Sequence, residues 1–175
     1  RSEQRLRDLA FFENVEVKTL QGSAPDKVVV DIGVTEQSTG ELSIGAGFST
    51  NDGPLADLRI RERNLLGKGQ DLLFSTTIAG SRTQFDASFT EPHFLNRDLS
   101  AGVDAFHITR DLQDESSYDQ QQTGAAVRIG YPLSEKWSQS WKYRFENNDI
   151  DNVDSTASRF IRDQEGKRLT SAISQ

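Results

Sequence analysis

From residue 41 onward, polar and apolar residues alternate with a period of two through one short segment after another. In 41–49, Leu42, Ile44, Ala46 and Phe48 share a face opposite Ser43, Gly45, Gly47 and Ser49. In 55–63, Leu58 and Ile60 oppose Asp57, Arg59 and Arg61, and in 71–79, Leu72, Phe74, Thr76 and Ile78 oppose Ser75 and Thr77. Residues 84–90 set Phe85, Ala87 and Phe89 against Asp86 and Ser88. Successive side chains of a strand point to opposite faces, so each segment predicts a strand with one apolar and one polar face. The pattern continues in 98–109 (Leu99, Ala101, Val103, Ala105), in 122–131 (Val127, Ile129 and Tyr131 against Arg128) and in 138–146. In the last of these Trp141, Tyr143 and Phe145 alternate with Lys142, Arg144 and Glu146, and one more strand opens at Arg168. That predicts about eight strands.

The first 40 residues read differently. RSEQRLRDLAFF at 1–12 fits the end of an amphipathic helix, with Leu6, Leu9 and Ala10 on one face. Val15, Val17 and Leu20 then alternate with polar residues, QGSAPD at 21–26 predicts a turn, and KVVVDIGV at 27–34 a second strand. Helix, strand, turn and strand make half of a small α+β module, too little to bury a core alone. Its beginning is expected upstream, because Arg1 comes first, Met is absent and no apolar signal segment is present. TEQSTG at 35–40 reads as the linker.

The alternating segments are about as long as a tilted strand needs to cross a bilayer. The mean hydropathy of -0.62 does not argue against that, since only every second residue of a membrane barrel faces lipid. No run approaches the roughly 18 apolar residues of a spanning helix. A soluble β-sandwich would show the same alternation. Unequal connections at the two ends of the strands favour a barrel: NLLGKG (64–69), EPHFLNRD (91–98) and PLSEKW (132–137) are short, whereas 110–121 and 147–167 are long and acidic. NDGP (51–54) and GSR (80–82) are tight turns on the long-loop side, so the asymmetry is incomplete.

Little in the chain points to covalent chemistry. With Cys 0 there is no thiol nucleophile, disulfide or thiolate site, and a net charge of -7 argues against nucleic acid as a partner. His93 and His107 stand far apart in sequence without a matching nucleophile, and His93, beside Pro92, reads as a turn residue. Asp149, Asp151 and Asp154 are dense enough for calcium but miss the EF-hand spacing, so a solvated acidic loop is the plainer reading. Gly67, Lys68 and Gly69 lack the rest of a phosphate loop. No catalytic residue, metal or cofactor is expected. Arg59, Arg61, Arg63, Arg128, Lys142 and Arg144 would share the polar face with Asp57, Asp86, Asp104 and Glu146, as a charge-paired lumen wall or, less economically, an ion-selective pore. Tyr131, Trp137, Trp141 and Tyr143 suit an aromatic girdle, or the core of a sandwich.

The strand, turn and strand around RERNLLGKGQDL (61–72), followed by FTEPHFLNRDLS (89–100), resemble the start of the barrel in the BamA family of outer-membrane protein assembly factors. FFENVEVKTL (11–20) and KVVVDIGVTEQ (27–37) resemble the end of that family's last polypeptide-transport-associated (POTRA) domain. The resemblance covers essentially the whole chain. It implies a mainly β fold: residues 1–37 as the C-terminal part of a periplasmic POTRA domain, and 38–175 as the N-terminal half of an antiparallel transmembrane β-barrel. It implies a machine that inserts other barrels into the bacterial outer membrane, with unfolded outer-membrane proteins as clients and with membrane lipid and assembly-complex lipoproteins as partners. The lateral-gate strand maps to Leu42, Ile44, Gly45, Gly47 and Phe48. Asn64, Leu65, Gly67, Gly69, Glu91, Pro92 and Phe94 map to the family motif at the periplasmic turns. The related translocation and assembly module and two-partner secretion transporters would share these features and export a polypeptide instead.

Overall fold

The computed structural model describes residues 4, 9–24, 26–134 and 136–175. They fall into two compact units, residues 1–40 and 41–175. In the first, β1 (Phe12–Gln21) and β2 (Val28–Glu36) form an antiparallel hairpin, closed where Gly22 N–H donates to the Lys27 carbonyl at 2.9 Å. Val15 is buried, while most of the valines of β2 stay exposed. The helix expected over 1–12 lies mainly outside the described residues. Gln4 is helical, but Ala10 has φ 57 and Phe12 already belongs to β1, so the helix does not extend to the end of that segment. A left-handed residue with a Cβ cannot continue a right-handed helix.

The second unit is one antiparallel sheet of eight strands in sequence order: β3 (Gly40–Ser49), β4 (Gly53–Leu65), β5 (Gln70–Ala79), β6 (Arg82–Glu91), β7 (Ser100–Asp111), β8 (Asp119–Ser134), β9 (Trp137–Asp151) and β10 (Gly166–Ser174). Every predicted strand is present. The two loops predicted as longest are shorter than expected, because β7 runs to Asp111, β8 starts at Asp119 and β9 runs to Asp151. Asp111 pairs with Asp119, and Asp119 in turn with Asp151. Here both faces are polar, which removes the alternation from the sequence, but the ladder needs only backbone donors and acceptors. Short helices Gln113–Ser116 and Arg159–Arg162 fill the two remaining loops.

The register sorts the side chains into two faces. One cross-strand row runs Arg59, Ser75, Asp86, Phe106, Gly124, Glu146 and Thr170, and a second runs Arg61, Leu73, Ser88, Asp104, Ala126, Arg144 and Ala172. The opposite face carries Ile60, Phe74, Ala87, Ala105, Ala125, Phe145 and Ser171 in one row, with Leu72, Phe89, Val103, Val127 and Tyr143 beside it. Phe74, Val103, Val127, Tyr143 and Phe145 are exposed, as a single layer with no second layer over it requires. No described helix is long and apolar enough to cross a membrane, which says nothing of strands.

Candidate functional site

Two parts of the sheet can act: its polar face and its leading edge. On the polar face, Arg61 meets Asp71 through two donors, Nη2 to Oδ2 at 2.6 Å and Nε to Oδ1 at 3.3 Å. Arg63 pairs with Glu41, joining β4 to β3. Asp104 is the centre of a larger cluster, accepting from Ser88 Oγ at 2.8 Å, Arg128 Nη2 at 2.9 Å and Lys142 Nζ at 3.1 Å. Arg128 also donates to Ser88 Oγ and Thr90 Oγ1, so it reaches across β7 to β6. It can do so because it faces Gly102, where a Cβ would stand 2.8 Å from its Nη2. Arg144 pairs with Glu146 at 2.8 Å and stacks over the Phe106 ring at 4.2 Å.

All six expected cations, Arg59, Arg61, Arg63, Arg128, Lys142 and Arg144, therefore share one face. The last five are in ion pairs, whereas Arg59 is exposed there. Ion pairing holds five of the six to a neighbouring strand or residue, and this is what a wall needs more than what a conducting pore does. The pattern of charges was legible in the sequence; the aromatic in their midst was not. Phe106 sits on the polar face above Gly124, and an isolated glycine opposite a large residue in a strand is the signal that could have found the pair.

The leading edge is β3. It is hydrogen-bonded to β4 on one side and is an end strand of the sheet on the other, as β10 is at the far end. Leu42, Ile44 and Phe48 are 65%, 77% and 77% exposed. Cβ atoms added at Gly45 and Gly47 would meet Asp57 Cβ at 3.8 Å and Leu55 Cδ1 at 3.6 Å, ordinary contacts on the polar side. Neither glycine is required by crowding within this sheet.

The motif residues build the turns at one end. Asn64 folds the β4–β5 turn: its carbonyl accepts from Gly67 N–H at 2.9 Å and its Oδ1 from Gly69 N–H at 2.7 Å. Gly67 and Gly69 have φ 71 and 68, the region glycine enters without steric cost. Leu65 pairs with Gln70 just before the turn. Glu91 closes β6, accepting from Gln70 Nε2 at 2.6 Å and from the His93 N–H at 3.0 Å. Pro92 follows it, and Phe94 N–H reaches the Leu99 carbonyl at 2.7 Å. His93 thus serves a turn. His107, on the apolar face, contacts Thr123 Oγ1 at 2.7 Å. Asp149, opposite Lys167, and Asp151, opposite Asp119, lie in β9 and are not the loop residues expected, whereas Asp154 lies beyond the strand. Among the described residues no group of three or more His, Asp or Glu could hold a metal.

The architecture is that of an outer-membrane barrel wall. Over 99% of this chain and 35% of the other, it matches the crystal structure of BamA from Haemophilus ducreyi lacking POTRA domains 1–3, with a TM-score of 0.77 at 22% identity. Residues 64–175 match the Omp85 superfamily domain, and the chain belongs to that superfamily. It is similar to the outer membrane protein assembly factor BamA of Nitratidesulfovibrio vulgaris, 33% identical across 98% of this chain and 21% of that protein. It is also similar to the human sorting and assembly machinery component 50 homolog, 25% identical across 98% of this chain and 37% of the relative. The chain spans about a fifth of the length of the bacterial assembly factors it matches.

Proposed function

We propose that this chain is the leading part of an outer-membrane barrel that assembles other barrels, residing in the bacterial outer membrane with residues 1–37 as the end of a periplasmic POTRA domain. The observation that carries the reading is a sheet led by β3, with Leu42, Ile44 and Phe48 exposed, in a chain one-third identical to an assembly factor. An unpaired strand edge offers a row of N–H and C=O groups to another chain. In hydrocarbon each unmet group costs several kcal/mol, so the edge is driven to accept a partner strand. Gly45 and Gly47 weaken side-chain packing along β3 and suit a strand that exchanges partners.

On this reading the clients are unfolded outer-membrane proteins, the apolar face meets lipid, and the turns of Asn64, Leu65, Gly67, Gly69, Glu91, Pro92 and Phe94 form the periplasmic rim. Assembly-complex lipoproteins are further partners. Strand templating makes no and breaks no covalent bond, so the role calls for no catalytic residue or cofactor. The test is a pair of cysteines that lock β3 to the final strand of the intact protein. Client insertion should stop on oxidation and return on reduction; normal insertion under complete cross-linking would overturn the gate.

A further inference from the structure

The β4–β5, β6–β7 and β8–β9 turns lie at the same end of the sheet, and each presents an exposed apolar side chain. Leu66 is 82% exposed and Leu95 70%, both with left-handed backbone, φ 56 and 59. That conformation is unfavourable for leucine, and glycine or asparagine would fill it with less strain. Neither turn geometry nor packing therefore accounts for a leucine at either place. In the third turn Leu133 occupies a bulge and Trp137 is 74% exposed. By alternation along β9, Trp137 falls on the apolar side with Trp141.

These turns continue the apolar face. Phe94 and Leu95 line one groove with Phe89, a residue of that face, and with Lys68 of the neighbouring turn. The same three turns carry Lys68, Arg97 and Lys136, none in an ion pair among the described residues, beside the acids Glu91 and Asp98, of which Glu91 lines the same groove as Lys68. Exposed apolar side chains beside long cationic ones, at the margin of a lipid-facing surface, match the boundary between acyl chains and phosphates. We infer that Leu66 and Leu95, with Leu133 and Trp137, insert into the phospholipid leaflet at this end of the barrel while Lys68, Arg97 and Lys136 meet its phosphates. The inference rests on the membrane reading above and adds an anchoring surface to it.

The test uses the intact protein in vesicles of phosphatidylethanolamine and phosphatidylglycerol, spin-labelled at Leu66→Cys or Leu95→Cys. Power saturation compares collision with oxygen, which concentrates in lipid, and with a water-soluble nickel chelate. Labels at Phe74→Cys on the apolar face and Asn51→Cys in an opposite-end turn set the scale. The oxygen-to-nickel ratio at 66 and 95 should be several-fold above that at 51 and below that at 74. A ratio equal to that at 51 puts the leucines in water, and low access to both reagents puts them under protein; either overturns the anchor. If 74 itself reads as water, the membrane reading is what has failed. Where a label at 66 or 95 blocks insertion, judged by heat-modifiable electrophoretic mobility, one at Leu133 replaces it under the same outcomes.

Discussion

The ring of Phe106 covers Gly124 on the neighbouring strand: a Cβ on that glycine would stand 2.4 Å from Phe106 Cζ and 2.6 Å from the Phe145 carbonyl oxygen. The ring could rotate away, but the carbonyl belongs to the β8–β9 ladder and cannot. Arg144 lies over the same ring, so the three residues hold β7, β8 and β9 together on a face otherwise polar.

Gly124→Ala should accordingly destabilise the protein by about 1–3 kcal/mol, the usual cost of overpacking a filled site. Phe106→Leu in the same background should recover part of it. Urea midpoints of the membrane-inserted protein measure both, and an unchanged midpoint for Gly124→Ala would show that the ring does not confine that site.

Removing the shared carboxylate leaves Arg128 and Lys142 facing each other without their acceptor. Asp104→Ala should cost about 1–3 kcal/mol, on the scale of hydrogen bonds to charged groups, and more in low salt than in high. Replacement of Lys142 by methionine beside Asp104→Ala should relieve part of the loss. The double-mutant cycle checks this, and simple additivity of the two changes would mean that the pair is not coupled.

Because nothing crowds Gly45 or Gly47, alanine at both should stabilise β3 by about 0.5–1 kcal/mol per site. If strand exchange at this edge drives assembly, the same change should slow client insertion. A stabilised barrel that assembles clients at the original rate would detach the glycines from function.

The Asp154 carboxylate accepts from the Thr156 backbone N–H and Oγ1, both at 2.8 Å, and these bonds hold its pKa below the ordinary aspartate range. A lowered folded pKa means that the charged form stabilises the loop. That contribution is complete above the unfolded value of about 3.9 and disappears as pH falls through the lower, folded value. Hydrogen exchange at the Thr156 amide should stay protected at neutral pH and open selectively under strong acid. Asp154→Asn should weaken that protection at neutral pH and remove its pH dependence.

Much of the sheet is readable from residues 41–146, since alternation of side chains is set by the backbone and survives whatever covers the strands. Where both faces become polar, near Asp119 and Asp151, the same ladder continues unseen. Leu42, Ile44 and Phe48 could be placed on one face of a strand from their spacing alone. That their strand is hydrogen-bonded to β4 is a property of pairing, which spacing does not contain.

The sequence by itself determined the strands, their two faces and the turn of Asn64, Gly67 and Gly69, because each depends on neighbours within a few residues. Only the tertiary structure decided that Asp104 gathers Arg128 and Lys142, that Phe106 closes over Gly124, and that Leu66 and Leu95 stand exposed at one end. Those contacts depend on the register between strands, which a period of two leaves free until the backbone hydrogen bonds fix it.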